Sequence, residues 1–162
     1  MRPRPLDLVS HWQIAAPPAA VWAALADPAG WPRWWPALRP VRAPPAGDPG
    51  LADPWLSLAW SAGGPFRGEI ALATLEALPP ERLRQRSAAL PGARRAWLQG
   101  ECIWLLRCDA GLTQVTHVWR LDPCDGMLGW LQPVWAPLLR ALHGRVMRAG
   151  ALGLARQLGA AP

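Results

Sequence analysis

Residues Gly100 to Asp122 read GECIWLLRCDAGLTQVTHVWRLD, and this stretch decides the fold. Two segments with the two-residue period of strands flank the turn sequence DAG, which is typical of a tight hairpin. The predicted inward face of the two segments, with the residue just before them, carries Leu98, Cys102, Trp104, Leu106, Val115, His117, Trp119 and Leu121. A period of two residues and a short connection predict two antiparallel strands with one face against a core.

The same period extends over much of the chain on either side of this hairpin. Strands are predicted at 6–14 and 82–88, and the turn signals APPAGDPG, SAGGP and LPPE separate further strands after Leu38. Leu6, Leu8, Trp12 and Ile14 share one face of the first of these strands. In the second, Leu83, Gln85 and Ser87 share one face and the three arginines share the other. Arg120 and the strand residues Glu69 and Glu101 are expected on the outward face. These patterns predict an antiparallel meander.

Prolines and a period of 3.6 residues mark the helices. Pro17 or Pro18 suits the first turn of a helix that ends before Asp27-Pro28. The stretch GWPRWWP, Gly30 to Pro36, predicts a second helix that its prolines keep short. From Leu138 to Leu158 the spacing predicts an amphipathic helix of about six turns, whereas 127–137, with two prolines, is expected to be irregular or kinked.

The tryptophans of the second short helix have separate expected positions. Trp31 or Trp35 is expected to pack under the C-terminal helix, because a tryptophan is costly to leave in water. Trp34 is expected to face the mouth of a pocket or the solvent. If all three instead formed one exposed patch, that patch would indicate an interaction surface.

Composition narrows the class of protein. The chain has 162 residues, which predicts one domain spanning 1–162. The net charge is +6, and all 17 basic residues are arginines that are scattered rather than clustered, so a nucleic-acid partner is not expected. No paired-carboxylate, Ser-His-Asp, zinc or phosphate-loop spacing occurs, so no metal and no cofactor are expected.

Cysteines and the first residues of the chain bear on its location. The three cysteines Cys102, Cys108 and Cys124 are an odd number without metal-site spacing. Cys102 and Cys108 are expected to be small buried hydrophobic residues. The start, MRPRPLDLVS, lacks the apolar region of a signal peptide, and no run of about 18 apolar residues exists. We therefore expect a cytoplasmic protein without stable membrane insertion.

Three stretches, Trp12 to Arg42, Gly100 to Asp122 and His143 to Ala160, resemble the SRPBCC superfamily, also called START-like or Bet v 1-like, in its bacterial polyketide cyclase/dehydratase branch. The motifs that carry the resemblance are IAAPPAAVW at 14–22, WPRWWP at 31–36 and HGRVMRAGALGL at 143–154. The resemblance implies an α+β helix-grip fold: a curved antiparallel sheet of six to seven strands wrapped around a long C-terminal helix, with two short helices after the first strand.

The resemblance also implies a cavity between sheet and helix. The side chains then expected to contact a ligand are Trp12, Trp35, Leu58, Trp60, Cys102, Trp104, His117, Trp119, Leu139, His143, Val146 and Met147, with Gly150 beside them. His117 and His143, with an arginine such as Arg67, are the candidates for acid–base chemistry, and a structural role for each histidine stays open.

Three functions remain open at this point. The first is binding or transport of a hydrophobic small molecule, such as a lipid, a polyketide or an aromatic compound, by a monomer or weak homodimer. The second is a polyketide aromatase/cyclase or dehydratase-type enzyme that uses the cavity histidines. The third is a Trp-rich module that docks on a membrane or a protein.

Overall fold

The computed structural model describes residues 5–41, 56–88, 98–123 and 129–160. Cys124 and the predicted loop APPAGDPG at 43–50 lie outside the described residues. The elements, in chain order, are β1 (Leu6–Ile14), α1 (Pro18–Leu25), α2 (Trp31–Trp34), β2 (Leu38–Pro40), β3 (Leu56–Gly63), β4 (Phe66–Leu78), β5 (Arg82–Ala88), β6 (Gly100–Asp109), β7 (Leu112–Leu121) and α3 (Gln132–Gln157).

The seven strands form one antiparallel sheet in the order β1-β7-β6-β5-β4-β3-β2. Helix α3 contacts β1 at one edge of the sheet and β3 near the other. The sheet therefore curls around the helix, and the α+β helix-grip architecture is confirmed. At the β6–β7 turn, Ala110 and Gly111 both have positive φ, at 49° and 82°, which is the geometry of a tight two-residue hairpin.

The predicted strand faces are confirmed where they were assigned. In β5, Leu83, Gln85 and Ser87 are buried, whereas the three arginines between and beside them are only half-buried. In β1, burial alternates in the same way except at Ser10, which is half-buried. The alternation places one face of the sheet against α3 and leaves the other to the solvent.

The outward face carries a row of ion pairs. Arg84 Nε donates to Glu101 Oε1 at 2.7 Å, and Arg86 Nη2 donates to Asp122 Oδ2 at 2.6 Å. The hydrogen bond from Arg84 holds the pKa of the Glu101 carboxyl below its ordinary value. Arg82 and Arg120 are paired in the same manner, with Glu76 and Asp7. Much of the arginine charge of this face is therefore met by the protein's own carboxylates.

Helix α3 begins earlier than the sequence predicts. It starts at Gln132 and runs for 26 residues, so 132–137 is helical rather than irregular. Pro133 lies in the first turn, where a backbone N–H has no partner within the helix in any case. Pro137 removes one further hydrogen bond near that end, and Ala136 and Leu139 are buried on either side of it. The packing of this end against the sheet outweighs that loss.

All three tryptophans of the GWPRWWP stretch are buried. Trp35 donates from Nε1 to the main-chain oxygen of Val146 at 2.8 Å, which confirms the predicted packing under the C-terminal helix. The ring of Trp34 stacks on Trp35 with centroids 5.4 Å apart, and Trp34 is 8% exposed. The expectation that Trp34 faces the pocket mouth or solvent is wrong. At Gly153, α3 has no side chain and therefore approaches the main chain of Trp34 closely.

Candidate functional site

A cavity lies between the concave face of the sheet and α3. Two packed apolar clusters bound it, one around the tryptophans of α2 and the other around Leu6, Leu8 and Leu139. The cavity offers about 80 Å³ to the centre of a water-sized sphere, and about 720 Å³ of atom-free space when the solvent at its mouth is included. A single water needs roughly 10–15 Å³ on the first measure, so the cavity has room for an organic molecule.

Most of the side chains predicted to contact a ligand do line this cavity. The predicted residues in the lining are Trp35, Leu58, Trp60, Cys102, Trp104, His117, Trp119, Leu139, His143, Val146 and Met147. The lining residues that were not predicted as site residues are Trp31, Leu38, Ile70, Leu72, Gln85, Leu98 and Leu142. Their signal in the sequence is the inward phase of a strand or helix, but this phase does not distinguish cavity lining from packed core.

Three predicted positions differ from the structure. Trp12 is buried behind the lining, with its ring edge-on to Trp35 and Trp104 at centroid distances of 5.6 and 5.4 Å. Gly150 is also outside the lining, because the Trp35 ring covers it. Arg67 is exposed on the outward face of β4, so it cannot supply a proton inside the cavity. Trp12 therefore supports the wall rather than forming it.

The two candidate histidines meet across the cavity, one from β7 and one from α3. The rings of His117 and His143 are 5.6 Å apart between centroids and inclined by 23°. Burial lowers the pKa of His143 to about 4. Burial, and secondarily the nearby His143, lowers the pKa of His117 well below its ordinary value. Both imidazoles are therefore neutral near pH 7, so each has one N–H donor and one nitrogen acceptor.

A polar residue from β5 joins the two histidines in the lining. Gln85 is 1% exposed, and its Oε1 accepts a hydrogen bond of 3.2 Å from Trp104 Nε1. The ring of Trp104 in turn lies 4.2 Å from that of His117, between centroids. Among the described residues, no hydrogen-bond partner contacts Gln85 Nε2, His117 Nδ1 or His143 Nε2. An apolar wall thus carries a short row of polar groups.

The cysteines differ from each other. Cys102 is buried in the lining, and burial raises the pKa of its thiol to about 12, so it is not a nucleophile at neutral pH. Cys108 is exposed, and the expectation that it is buried is wrong. The last three residues of β6 extend beyond the part of the strand that is buried. In the part of the chain that the structure describes, no three His, Cys, Asp or Glu side chains lie close enough to hold a metal ion.

No helix among the described residues has the length and apolar character needed to cross a membrane.

Comparison with known proteins places the fold among solved structures. A protein from Thermus thermophilus superposes with a TM-score of 0.65 at 14% identity, over 94% of this chain and 99% of that one. The Zhui aromatase/cyclase from Streptomyces superposes with a TM-score of 0.65 at 15% identity, over 96% and 94%. A protein from Chromobacterium violaceum gives 0.61 at 18% identity, over 94% and 96%. At these identities the likeness concerns the fold alone.

Sequence comparison is more specific about the family. No curated protein matches the sequence. The family model described as "Polyketide cyclase / dehydrase and lipid transport" matches residues 7–159, from β1 to just beyond the end of α3. This match and the helix-grip architecture agree with the motifs found in the sequence. The chain belongs to the polyketide cyclase/dehydrase and lipid transport family.

Proposed function

We propose that this protein binds a hydrophobic small molecule in the cavity between the sheet and α3. The observation that carries the proposal is the composition of the wall, in which 15 of the 18 lining side chains are apolar or a thiol, the exceptions being Gln85, His117 and His143. An apolar pocket with a few polar groups is the usual form of a site for a small organic ligand. The family description supports the same class of ligand.

Binding in the cavity is tested with a neutral fluorescent probe and a pair of variants in one strand. N-phenyl-1-naphthylamine is expected to bind the wild-type protein and to gain fluorescence. Ile70→Trp fills part of the cavity, because Ile70 lines it, and should weaken binding at least tenfold. Leu75→Trp, at an exposed position of the same strand, should leave it unchanged. Equal binding by the two variants would locate the probe elsewhere, and no binding by the wild type would remove the proposal.

A second candidate function, catalysis of the cyclase or dehydratase kind, is favoured by the neutral histidine pair. A neutral imidazole can accept a proton from the carbon between two ketone groups, and the carbanion can then attack another carbonyl of the same chain. The buried positions of His117 and His143 would keep both rings unprotonated for this step.

Native mass spectrometry of protein purified from its own host would show which class of compound it carries.

The catalytic candidate has its own test. The double variant His117→Ala, His143→Ala should lose cyclisation of a poly-β-ketone thioester, followed by chromatography of the products. His11→Ala is the matched control, since His11 is exposed and faces Thr116 on the outward side. Full turnover by the double variant would contradict a catalytic role of the two histidines and leave ligand binding as the proposed function.

The third predicted function, a Trp-rich interaction module, receives no support from Trp31, Trp34 and Trp35. These three side chains are at most 8% exposed and belong to the core. They therefore form no surface patch.

A further inference from the structure

The beginning of α3 and the turn just before it expose large apolar side chains to the solvent. The exposed fractions are 84% for Trp130, 46% for Leu131, 75% for Val134 and 50% for Leu138. On the opposite side of the same helical turns, Ala136 and Leu139 are buried in an apolar core cluster. Neighbouring apolar side chains left in water mark an interaction surface. We call these four side chains the exposed apolar cluster.

The helix face that carries this cluster becomes basic further along. Steps of three, four or seven residues keep to one face of an α-helix. Such steps connect Val134 in turn with Leu138, Arg145, Arg148, Leu152 and Arg156. All of these side chains are exposed. This outer face of α3 is therefore apolar in its N-terminal half, whereas arginines dominate its C-terminal half.

The arginines of α3 are not neutralised by carboxylates of the described residues. Helix α3 contains four arginines, the three of the outer face and Arg140, and no aspartate or glutamate. Every ion pair in the described part of the chain uses an arginine of α2, β5 or β7. Four unpaired positive charges thus lie on one helix, beside the exposed apolar cluster. This charge favours an anionic partner.

A second copy of the chain fits this face poorly. An interface along the full outer face would bury arginines against apolar side chains or against the arginines of the other copy, which is costly. An interface confined to the exposed apolar cluster would use four side chains from each copy, whereas a stable protein interface takes about 20–30 residues a side.

A bilayer surface with anionic lipids fits both halves of the face. Its acyl chains accept apolar side chains directly beneath the negatively charged phosphates. Tryptophan, the most exposed member of the cluster, is enriched at this boundary in membrane proteins.

We propose that the outer face of α3 docks this protein reversibly on a membrane surface that contains anionic phospholipids. The exposed apolar cluster enters the boundary between headgroups and acyl chains, and the arginines of the same face meet the lipid phosphates. The apolar stems of the arginines let their guanidinium groups reach the phosphates from the helix surface. Docking does not depend on what the cavity binds, because no side chain of the outer face lines the cavity.

Co-sedimentation with lipid vesicles tests the docking. The wild-type protein is mixed at pH 7.5 with vesicles of phosphatidylglycerol and phosphatidylcholine in equal parts, or of phosphatidylcholine alone. We expect binding to the mixed vesicles to be at least about tenfold tighter in about 0.1 M NaCl. Most of this difference should vanish in about 1 M NaCl, because the Debye length falls from about 10 Å to about 3 Å.

Two pairs of serine substitutions assign the apolar contribution. Val134→Ser with Leu138→Ser should weaken binding to the mixed vesicles at least about tenfold, because the bilayer would no longer bury these two apolar side chains. Leu75→Ser with Leu78→Ser is the matched control, since both leucines are exposed in β4, away from α3. The control pair should bind as the wild type does.

Two pairs of glutamine substitutions assign the contribution of charge. Arg145→Gln with Arg148→Gln should weaken binding about 25-fold at the lower salt concentration, about fivefold for each arginine. Arg107→Gln with Arg120→Gln removes the same charge from exposed positions of β6 and β7. This control pair should weaken binding by less than about threefold, because charges beyond a Debye length from the lipids are screened. Circular dichroism and thermal unfolding establish that the variants are folded.

Each result supports the docking or overturns it. Wild-type protein that does not sediment with the mixed vesicles overturns it, whether or not the variants fold. Equal losses in the two arginine pairs would assign binding to net charge alone, and full binding by Val134→Ser with Leu138→Ser would remove the apolar contribution; either result overturns the role of the outer face.

Two further measurements separate docking from other functions. A wild-type dimer in analytical ultracentrifugation that Val134→Ser with Leu138→Ser converts to a monomer would identify the outer face as a contact between copies, and would overturn membrane docking. All of these variants should still bind N-phenyl-1-naphthylamine, because none of the changed side chains lines the cavity. Failure of docking and failure of the proposed ligand binding are therefore distinguishable.

Discussion

Substitution of glycine by alanine is expected to have opposite effects at two positions of α3. At Gly153 a Cβ atom would overlap the main-chain carbonyl oxygen of Trp34 and lie 3.3 Å from Cδ of Pro36. At Gly144 no described neighbour lies within 4 Å of the position that a Cβ would take. The two sites share one helix, so the comparison isolates contact with the α2 segment from helix propensity.

The magnitudes follow from two competing contributions. Alanine is favoured over glycine inside a helix by about 1 kcal/mol, and at Gly144 nothing opposes this gain. At Gly153 overpacking costs roughly 1–3 kcal/mol, and a main-chain obstacle places the cost at the upper end of that range. We therefore expect Gly144→Ala to raise the free energy of unfolding by up to about 1 kcal/mol. Gly153→Ala should lower it by a net amount of about 2 kcal/mol.

Urea unfolding followed by tryptophan fluorescence and by circular dichroism measures both changes. In thermal unfolding, the melting temperature should fall by ~6 °C for Gly153→Ala and rise by up to ~3 °C for Gly144→Ala, given the scaling for a chain of this length. A Gly153→Ala protein as stable as the wild type would show that α3 does not rest on the Trp34 main chain. Loss of stability at Gly144 would show that its surroundings are not open.

Three further outcomes are expected. Between pH 6.5 and 4.5 the free energy of unfolding should fall by about 2 kcal/mol through His143 alone, because the unfolded chain protonates His143 in this interval and the folded protein does not, and His117 should add to the fall; urea midpoints across this range measure it. Trp35→Phe should cost about 2–3 kcal/mol, since it removes the bond to the Val146 oxygen and leaves a small void, as urea unfolding would show. Iodoacetamide at pH 8 should label Cys108 but not Cys102 in the folded protein, as peptide mass mapping would show.

Each of these outcomes has a control. His143→Gln should reduce the pH dependence above pH 4.5, where carboxylates contribute little, and should leave the part that His117 contributes; an unchanged slope would contradict the assignment. Trp130→Phe, at a side chain that is 84% exposed, should leave stability unchanged. Denatured protein should be labelled at Cys102 as well as at Cys108, and equal labelling of these two in the folded state would contradict the burial of Cys102.

The strands could be predicted from the sequence because their period is unambiguous. Val115, His117 and Leu121 share one face of β7, Gln114, Thr116 and Arg120 lie on the other, and a shift by one residue would expose the whole buried set. The prediction failed where an element runs past the edge of the core. At Cys108 the period continues after burial has ended, and a sequence does not show where a helix stops covering a strand.

The candidate site was predicted in outline for the same reason, and its errors have physical causes. Trp12 lies in the inward phase of β1, but a second layer of tryptophans separates it from the cavity, and layering cannot be read from phase. Gln85 also lies in the inward phase. Its position on the face shared by Leu83 and Ser87 was the signal in the sequence, and the side-chain pattern did not distinguish a cavity from a packed core.

The pairing of β1 with β7 has a consequence for how the chain reaches its fold. Strands β3 to β7 each pair with the strand before or after them in sequence, whereas Leu6 pairs with Leu121 near the other end of the chain. Contacts this far apart in sequence are slow to form because a long loop must close first. Translation produces β1 before the other strands of the sheet. Until β7 has been synthesised, β1 therefore has no strand to pair with. We expect this strand to be the last to join the sheet and the segment that most needs protection from aggregation in the nascent chain.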